Sequence, residues 1–155
     1  MTTTTSTRAS LHLNSEAATL AFGRRLAIHL TGGCVIYLHG ELGAGKTTLV
    51  RGILQGLKYP DTVKSPTYTL VESYFLPKFT LYHFDLYRLG SPEELEYLGI
   101  RDFFDQKSVM IIEWPERGRD FLPAADIDIN LAYHKAGRHL DCVAQSMLGA
   151  QCLVP

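Results

Sequence analysis

Residues 34–48 read CVIYLHGELGAGKTT, and this stretch decides the fold. Cys34 to His39 is a short, nearly continuous apolar run, as expected of a strand buried on both faces. The octet Gly40–Thr47 then meets the pattern GxxxxGK[ST] at every fixed position. Gly43 and Gly45 let the backbone curl so that its N–H groups point inward at phosphate oxygens. Lys46 reaches the β- and γ-phosphates as a point charge, and Thr47 offers a hydroxyl to Mg²⁺. A helix starting there adds its positive end. From Lys46 onward Leu49, Val50, Ile53, Leu54 and Leu57 fall on one helical face. A glycine-rich turn matching by chance would not need a buried strand before it and an amphipathic helix after it. Both are present, so the stretch predicts a site for a nucleoside triphosphate, with ATP the expected one.

Outward from the loop, helices and strands alternate. Asn14 or Ser15 is a good N-cap for a helix carrying Leu20, Gly23, Leu26, Ala27 and Leu30, which Gly32-Gly33 ends. Beyond the second helix, Pro60-Asp61 opens a polar connection through Ser65-Pro66. Thr69 to Phe75 and Phe79 to Phe84 read as strands, and Ser91-Pro92-Glu93-Glu94 as a capping box for a short helix ending near Gly99. Ser108 to Glu113 is a further buried strand. Ile127 to Tyr133 alternates and pairs with Arg138 to Ala144 across a turn at Lys135-Ala136-Gly137. The pattern predicts an α/β class: a single P-loop NTPase-like domain with a mixed sheet and flanking helices, over residues 11–155. The Thr/Ser-rich start, MTTTTSTRAS, predicts a disordered tail at 1–10.

Composition sets the boundary conditions. The chain has 155 residues, 46% hydrophobic and 20% charged, which suits one soluble domain. A net charge of −1 gives no broad attraction to nucleic acid or anionic membrane. Cys34, Cys142 and Cys152 form no CxxC pair, and their odd number fits a reducing compartment better than a disulfide scaffold. The expected location is the cytoplasm. No stretch approaches the roughly 20 apolar residues of a membrane span.

A phosphate loop alone hydrolyses nothing, because Mg²⁺ needs a second anchor and the attacking water needs orienting. The usual source is an acid at the end of a buried strand. Glu113 follows Val109-Met110-Ile111-Ile112, and Asp85 follows Leu81-Tyr82-His83-Phe84. Either could be a solvated loop acid, but two such ends downstream of a phosphate loop favour function. Thr67 sits where a switch-like segment could meet the γ-phosphate, or is a plain turn residue. His83 shares strand parity with Asp85, and its reading is open between site contact and packing. Arg88, Arg101, Arg117, Arg119 and Arg138 are candidates to stabilise charge on a transferring phosphoryl group.

Four segments in order, GELGAGKTT at 40–48, SPTYTLVE at 65–72, HFDLYRL at 83–89 and EWP at 113–115, resemble the bacterial TsaE family. This is the ATPase family of tRNA threonylcarbamoyladenosine biosynthesis. Weaker likeness continues through PEELEYLGIRD at 92–102 and Gly137-Arg138. The resemblance implies a P-loop domain that binds ATP and Mg²⁺ and hydrolyses ATP slowly alone. It implies work with the TsaB–TsaD pair that modifies adenosine 37 of tRNAs reading ANN codons. With net charge near zero and no basic run, tRNA is expected to be reached through those partners. It also implies that Gly43, Ala44, Gly45, Lys46, Thr47 and Thr48 hold the phosphates. Thr47 and Glu113 would serve Mg²⁺, Asp85 and Lys46 would be catalytic, and Thr67 would lie in a nucleotide-sensing segment. Ser15 and Gly137 stand where that family's chain ends approach the nucleotide, and Trp114 would sit beside the site. Glu41 departs from the Asp often found there, with the charge kept.

Other functions remain in view. A small-metabolite kinase on the same fold would want an arginine-rich lid, and no compact one is visible. A GTPase would want NKxD and DxxG, and neither appears. A nucleotide-gated binding module would use hydrolysis only to reset a partner.

Overall fold

The computed structural model describes residues 8–153. The chain runs β1 (Arg8–Leu13), α1 (Glu16–Ile28), β2 (Val35–His39), α2 (Lys46–Gly56), β3 (Val71–Phe75), β4 (Thr80–Asp85) and α3 (Glu94–Leu98). It continues through β5 (Ser108–Glu113), β6 (Ile127–His134), β7 (Gly137–Ala144) and α4 (Met147–Cys152). Short 3₁₀ turns lie at Ile100–Phe103, Pro115–Arg117 and Arg119–Phe121. Among the described residues the strands form one sheet in the order β1-β7-β6-β2-β5-β4-β3. Strands β6, β2, β5 and β4 run parallel; β1, β7 and β3 pair antiparallel. The sheet is therefore mixed, with helices on both faces.

Strand β5 is buried at all six positions, the burial expected of a central parallel strand. Its alternate residues feed two cores. Val109 and Ile111 pack with Ile36, Leu38, Leu49 and Ile53 beneath α1 and α2. Met110 and Ile112 pack with Phe84, Leu86, Leu95 and Ile100 on the opposite face. Helix α1 begins at Ser15, whose Oγ accepts from the Ala18 N–H at 3.1 Å, a cap worth about 1 kcal/mol.

The structure differs from expectation at several edges. Residues 8–10, expected within the tail, are the first half of β1 and pair with Asp141, Cys142 and Val143 of β7. The remainder of that tail, 1–7, lies outside the described residues. Thr69 and Leu70 precede β3 rather than open it, since Leu70 has a left-handed φ of 72° and its N–H closes a turn on the Pro66 carbonyl at 2.9 Å. The expected capping box takes another form. The Glu94 carboxylate accepts from the Gly90 N–H at 3.1 Å, and Ser91 contributes its carbonyl to the Glu94 N–H. The hairpin turn is Lys135-Ala136, because Gly137 already pairs with His134. Strand β1 and helix α4 were not anticipated. Helix α4 is signalled by Ser146, whose Oγ accepts from the Gly149 N–H and donates to Asp126. The three cysteines are free and buried.

Candidate nucleotide and metal site

Parallel pairing of β2 with β5 and of β5 with β4 brings three carboxyl ends to one edge of the sheet, the place where open α/β sheets bind ligands. The phosphate loop leaves β2 there. Glu113 ends β5 and Asp85 ends β4, and the two acids are register partners. Strand parity then chooses their face. Leu81, His83 and Asp85 alternate with Tyr82 and Phe84; Leu81 packs under α1 and α2, whereas Phe84 lies in the opposite core. Both acids consequently lie on the α2 side, with Asp85 8% and Glu113 4% exposed.

Gly45 is the N-cap of α2 with φ 107° and makes no side-chain cap. A left-handed φ is costly for residues with a Cβ. The cap leaves first-turn N–H groups of α2, at Lys46, Thr47 and Thr48, without intrahelical carbonyls. Lys46 is 5% exposed and donates from Nζ to the Gly40 carbonyl. Its Nζ is 3.9 Å from Glu113 Oε1 and 4.3 Å from the centre of the Trp114 ring. Burial pulls the Lys46 ammonium below its ordinary pKa, opposed by the charges of Glu113, Asp85 and Glu116. An anionic ligand would restore what burial removes.

Asp85 is shifted upward by burial, opposed by the Tyr87 N–H that it accepts at 3.0 Å. Nearby Glu113 adds to the rise, while His83 and Lys46 act against it. Thr67 Oγ1 lies 3.5 Å from Asp85 Oδ2 and 2.7 Å from Ser65 Oγ. The structure thus brings Thr67 to Asp85, rather than leaving it in a remote turn. Glu113 is shared: Oε2 meets His83 Nε2 at 2.5 Å, while Oε1 faces Lys46.

Ser15 and Gly137 meet across a cleft of about 340 Å³ whose wall includes Gly43, Ala44, Gly45 and Thr48. Gly137 permits that approach, because a Cβ there would stand 2.4 Å from the Leu13 carbonyl oxygen and 3.0 Å from Asn14 Cα. A larger hollow of about 440 Å³ between β1 and α1 is lined by Leu11, Ala21 and Ile28 and includes no phosphate-loop residue.

Tyr133 was missed by sequence reasoning, and the roles of Arg138 and His83 were left open. Arg138 donates from Nε to the Ala44 carbonyl at 3.0 Å and from Nη2 to Gly43 at 3.3 Å. Its guanidinium also stacks 4.3 Å from the Tyr133 ring, and the Tyr133 hydroxyl donates to Leu42 at 3.0 Å. Of the other candidate arginines, Arg88 stacks on Tyr68 and Arg117 on Tyr87. His83, on the same strand face as Asp85, lies buried against Glu113. Trp114, expected beside the site, adopts a left-handed φ of 57°, and its buried Nε1 has no hydrogen-bond partner among the described residues.

Among the described residues no group of three His, Cys, Asp or Glu side chains could hold a metal on protein ligands alone. A threonine hydroxyl and one carboxylate oxygen instead suit Mg²⁺, which keeps waters and shares phosphate oxygens. Thr47 and Glu113 have that chemistry.

The chain matches the family model described as "Threonylcarbamoyl adenosine biosynthesis protein TsaE" over residues 13–140. It is 48% identical over 143 residues to the tRNA threonylcarbamoyladenosine biosynthesis protein TsaE of Haemophilus influenzae, covering 89% of this chain and 90% of the relative. The protein of the same name from Nostoc is 39% identical over 131 residues, covering 82% and 80%. The crystal structure of Bacillus subtilis YdiB superposes with a TM-score of 0.79 at 26% identity, covering 94% of this chain and 93% of that one.

Proposed function

Because this chain belongs to the TsaE family, we propose that it is a Mg²⁺-dependent ATP hydrolase of tRNA threonylcarbamoyladenosine synthesis. It acts in the cytoplasm with TsaB and TsaD homologues on adenosine 37 of tRNAs reading ANN codons. The observation that carries the hydrolytic part is the pairing of Asp85 with Glu113 beside the phosphate loop.

In this reading Gly43 to Thr48 bind the phosphates through backbone N–H groups, and Lys46 leaves the Gly40 carbonyl for the β- and γ-phosphates. Ser15 and Gly137 border the far end of the nucleotide. Thr47 and Glu113 hold Mg²⁺, which when bound neutralises charge on the phosphate oxygens. Asp85 orients the attacking water and accepts its proton, and an upward-shifted carboxyl is the better acceptor. Thr67, at the end of the 65–67 segment, reports the state of the γ-phosphate to Asp85. A formal net charge of −1 gives the chain no broad attraction for RNA, so tRNA is reached through the partners. No helix among the described residues is long and apolar enough to cross a membrane.

The test is phosphate release from ATP by wild type and Lys46→Ala, with and without the TsaB–TsaD pair. Wild-type release should rise with the pair, and Lys46→Ala should be inactive in both conditions. Equal turnover by the two proteins would overturn the phosphate-loop assignment. Indifference of the wild type to the pair would overturn the partner assignment. ATP consumed only with a small-molecule acceptor would identify a kinase instead.

A further inference from the structure

We propose that His83 is a positioning residue for the divalent cation, fixing the Glu113 carboxylate so that a single oxygen, Oε1, faces the nucleotide. The inference rests on the reading of Glu113 as a metal-binding residue. Its geometry is independent of that reading.

His83 lies on β4 with Ile111 of β5 and Glu72 of β3 as its register partners. It is 0% exposed. Burying an imidazole costs free energy that a leucine or phenylalanine would avoid, and among the described residues its Nδ1 has no hydrogen-bond partner. The ring therefore has one polar contact to justify its place, Nε2 against Glu113 Oε2 at 2.5 Å. A carboxylate only accepts, so the proton sits on Nε2 and His83 donates.

That contact divides the carboxylate. With Oε2 engaged by His83, Oε1 remains, and it is the oxygen that lies 3.9 Å from Lys46 Nζ. Without the imidazole, a glutamate side chain has three rotatable torsions and two equivalent oxygens. It could turn either oxygen to the cation, or fold back onto Lys46. Partners of this kind hold metal ligands in one orientation, and losing them typically weakens metal affinity roughly 10–100-fold. The length of glutamate also matters. A carboxylate tied at one oxygen can present the other at a fixed distance, directly or through a metal-bound water.

The experiment measures Mn²⁺ binding to the full chain in the presence of ADP by electron paramagnetic resonance. The proteins are wild type, His83→Gln, His83→Asn and His83→Leu, together with Glu113→Gln and the Glu113→Gln/His83→Asn double variant. Gln can place an amide N–H where Nε2 lies, whereas Asn is too short and Leu has no donor. His83→Gln should bind Mn²⁺ within about threefold of wild type, and His83→Asn and His83→Leu should bind roughly tenfold or more weakly. In the Glu113→Gln background, His83→Asn should cause no further loss. ADP affinity measured in EDTA should be the same for wild type and His83→Asn. Mn²⁺ binding by His83→Asn equal to wild type would overturn the proposal. So would an unchanged loss in the Glu113→Gln background, or an equal loss of ADP affinity in EDTA. Failure of the wild type itself to bind Mn²⁺ with ADP would overturn the metal reading of Glu113, and this proposal with it. If His83→Leu does not fold, the Gln–Asn contrast decides.

Discussion

The Arg138 guanidinium donates to the Ala44 carbonyl at 3.0 Å and so ties the β6–β7 hairpin to the phosphate loop. In a trans peptide the C=O and the following N–H point in opposite directions. Holding the Ala44 carbonyl toward Arg138 therefore turns the Gly45 N–H the other way. A second bond to the Gly43 carbonyl at 3.3 Å reinforces the same sense of curl. The hairpin is a brace for the loop as well as an inner part of the sheet.

Arg138→Gln should weaken ADP binding about tenfold or more, since hydrogen bonds to a charged group are worth roughly 1.5–3 kcal/mol. Arg138→Lys should recover little, because an ammonium lacks the fork that spans two carbonyls. Titration calorimetry with ADP measures both. Affinity equal to wild type in Arg138→Gln would mean that the loop holds its shape unaided.

Gly137→Ala should destabilise the fold by about 1–3 kcal/mol, the usual cost of inserting atoms into a packed site. The intruding Cβ would meet backbone, Leu13 O at 2.4 Å, which cannot swing aside as a side chain can. Urea unfolding reads the stability. Nucleotide affinity should fall as well, because the displaced junction carries Ser15.

Asp85→Asn should lose ATP hydrolysis yet raise the stability of the nucleotide-free, metal-free protein near pH 7. Burial raises the carboxyl above its ordinary pKa of 3.8. The native state then binds a proton more tightly than the unfolded state. Stability from this group accordingly falls as pH rises from the ordinary value through the raised one, and stays lower above it. Removing the charge should recover about 0.5–2 kcal/mol, the range of common stabilising substitutions. Thermal melts in EDTA at pH 4 and pH 7 check the sign: the gain should be larger at pH 7.

Trp114 is the single tryptophan, and its ring lies 4.3 Å from Lys46 Nζ. Tryptophan emission should change when ADP draws the ammonium away. Lys46→Met should alter the emission of the free protein and abolish the ADP response. An unchanged response in Lys46→Met would separate the signal from that contact.

The features legible in the chain were the contiguous ones. GELGAGKTT needs only its own backbone and the elements flanking it, and Ser108–Glu113 appears as a strand at those same bounds. In strand β1, RASLHL alternates polar and apolar as a strand does, but it is short and runs on from a Thr/Ser-rich stretch, so its start reads as tail. It becomes a strand through pairing with β7, a partner more than 120 residues away in sequence. The Ser91 box misled because the Glu94 carboxylate accepts from the Gly90 N–H and the helix starts only at Glu94, with Glu93 and not Ser91 as its N-cap.

By itself the sequence determined the phosphate loop, the helix behind it and two acids at strand ends, because local periodicity and glycine spacing suffice for each. Only the tertiary structure decided that Asp85 and Glu113 are register neighbours, that Glu113 is shared between Lys46 and His83, and that Arg138 braces Ala44. The physical reason is strand order. Periodicity tells which face of a strand is buried but carries no record of which strand lies beside it. Placing β5 between β2 and β4 therefore depends on packing across the whole sheet.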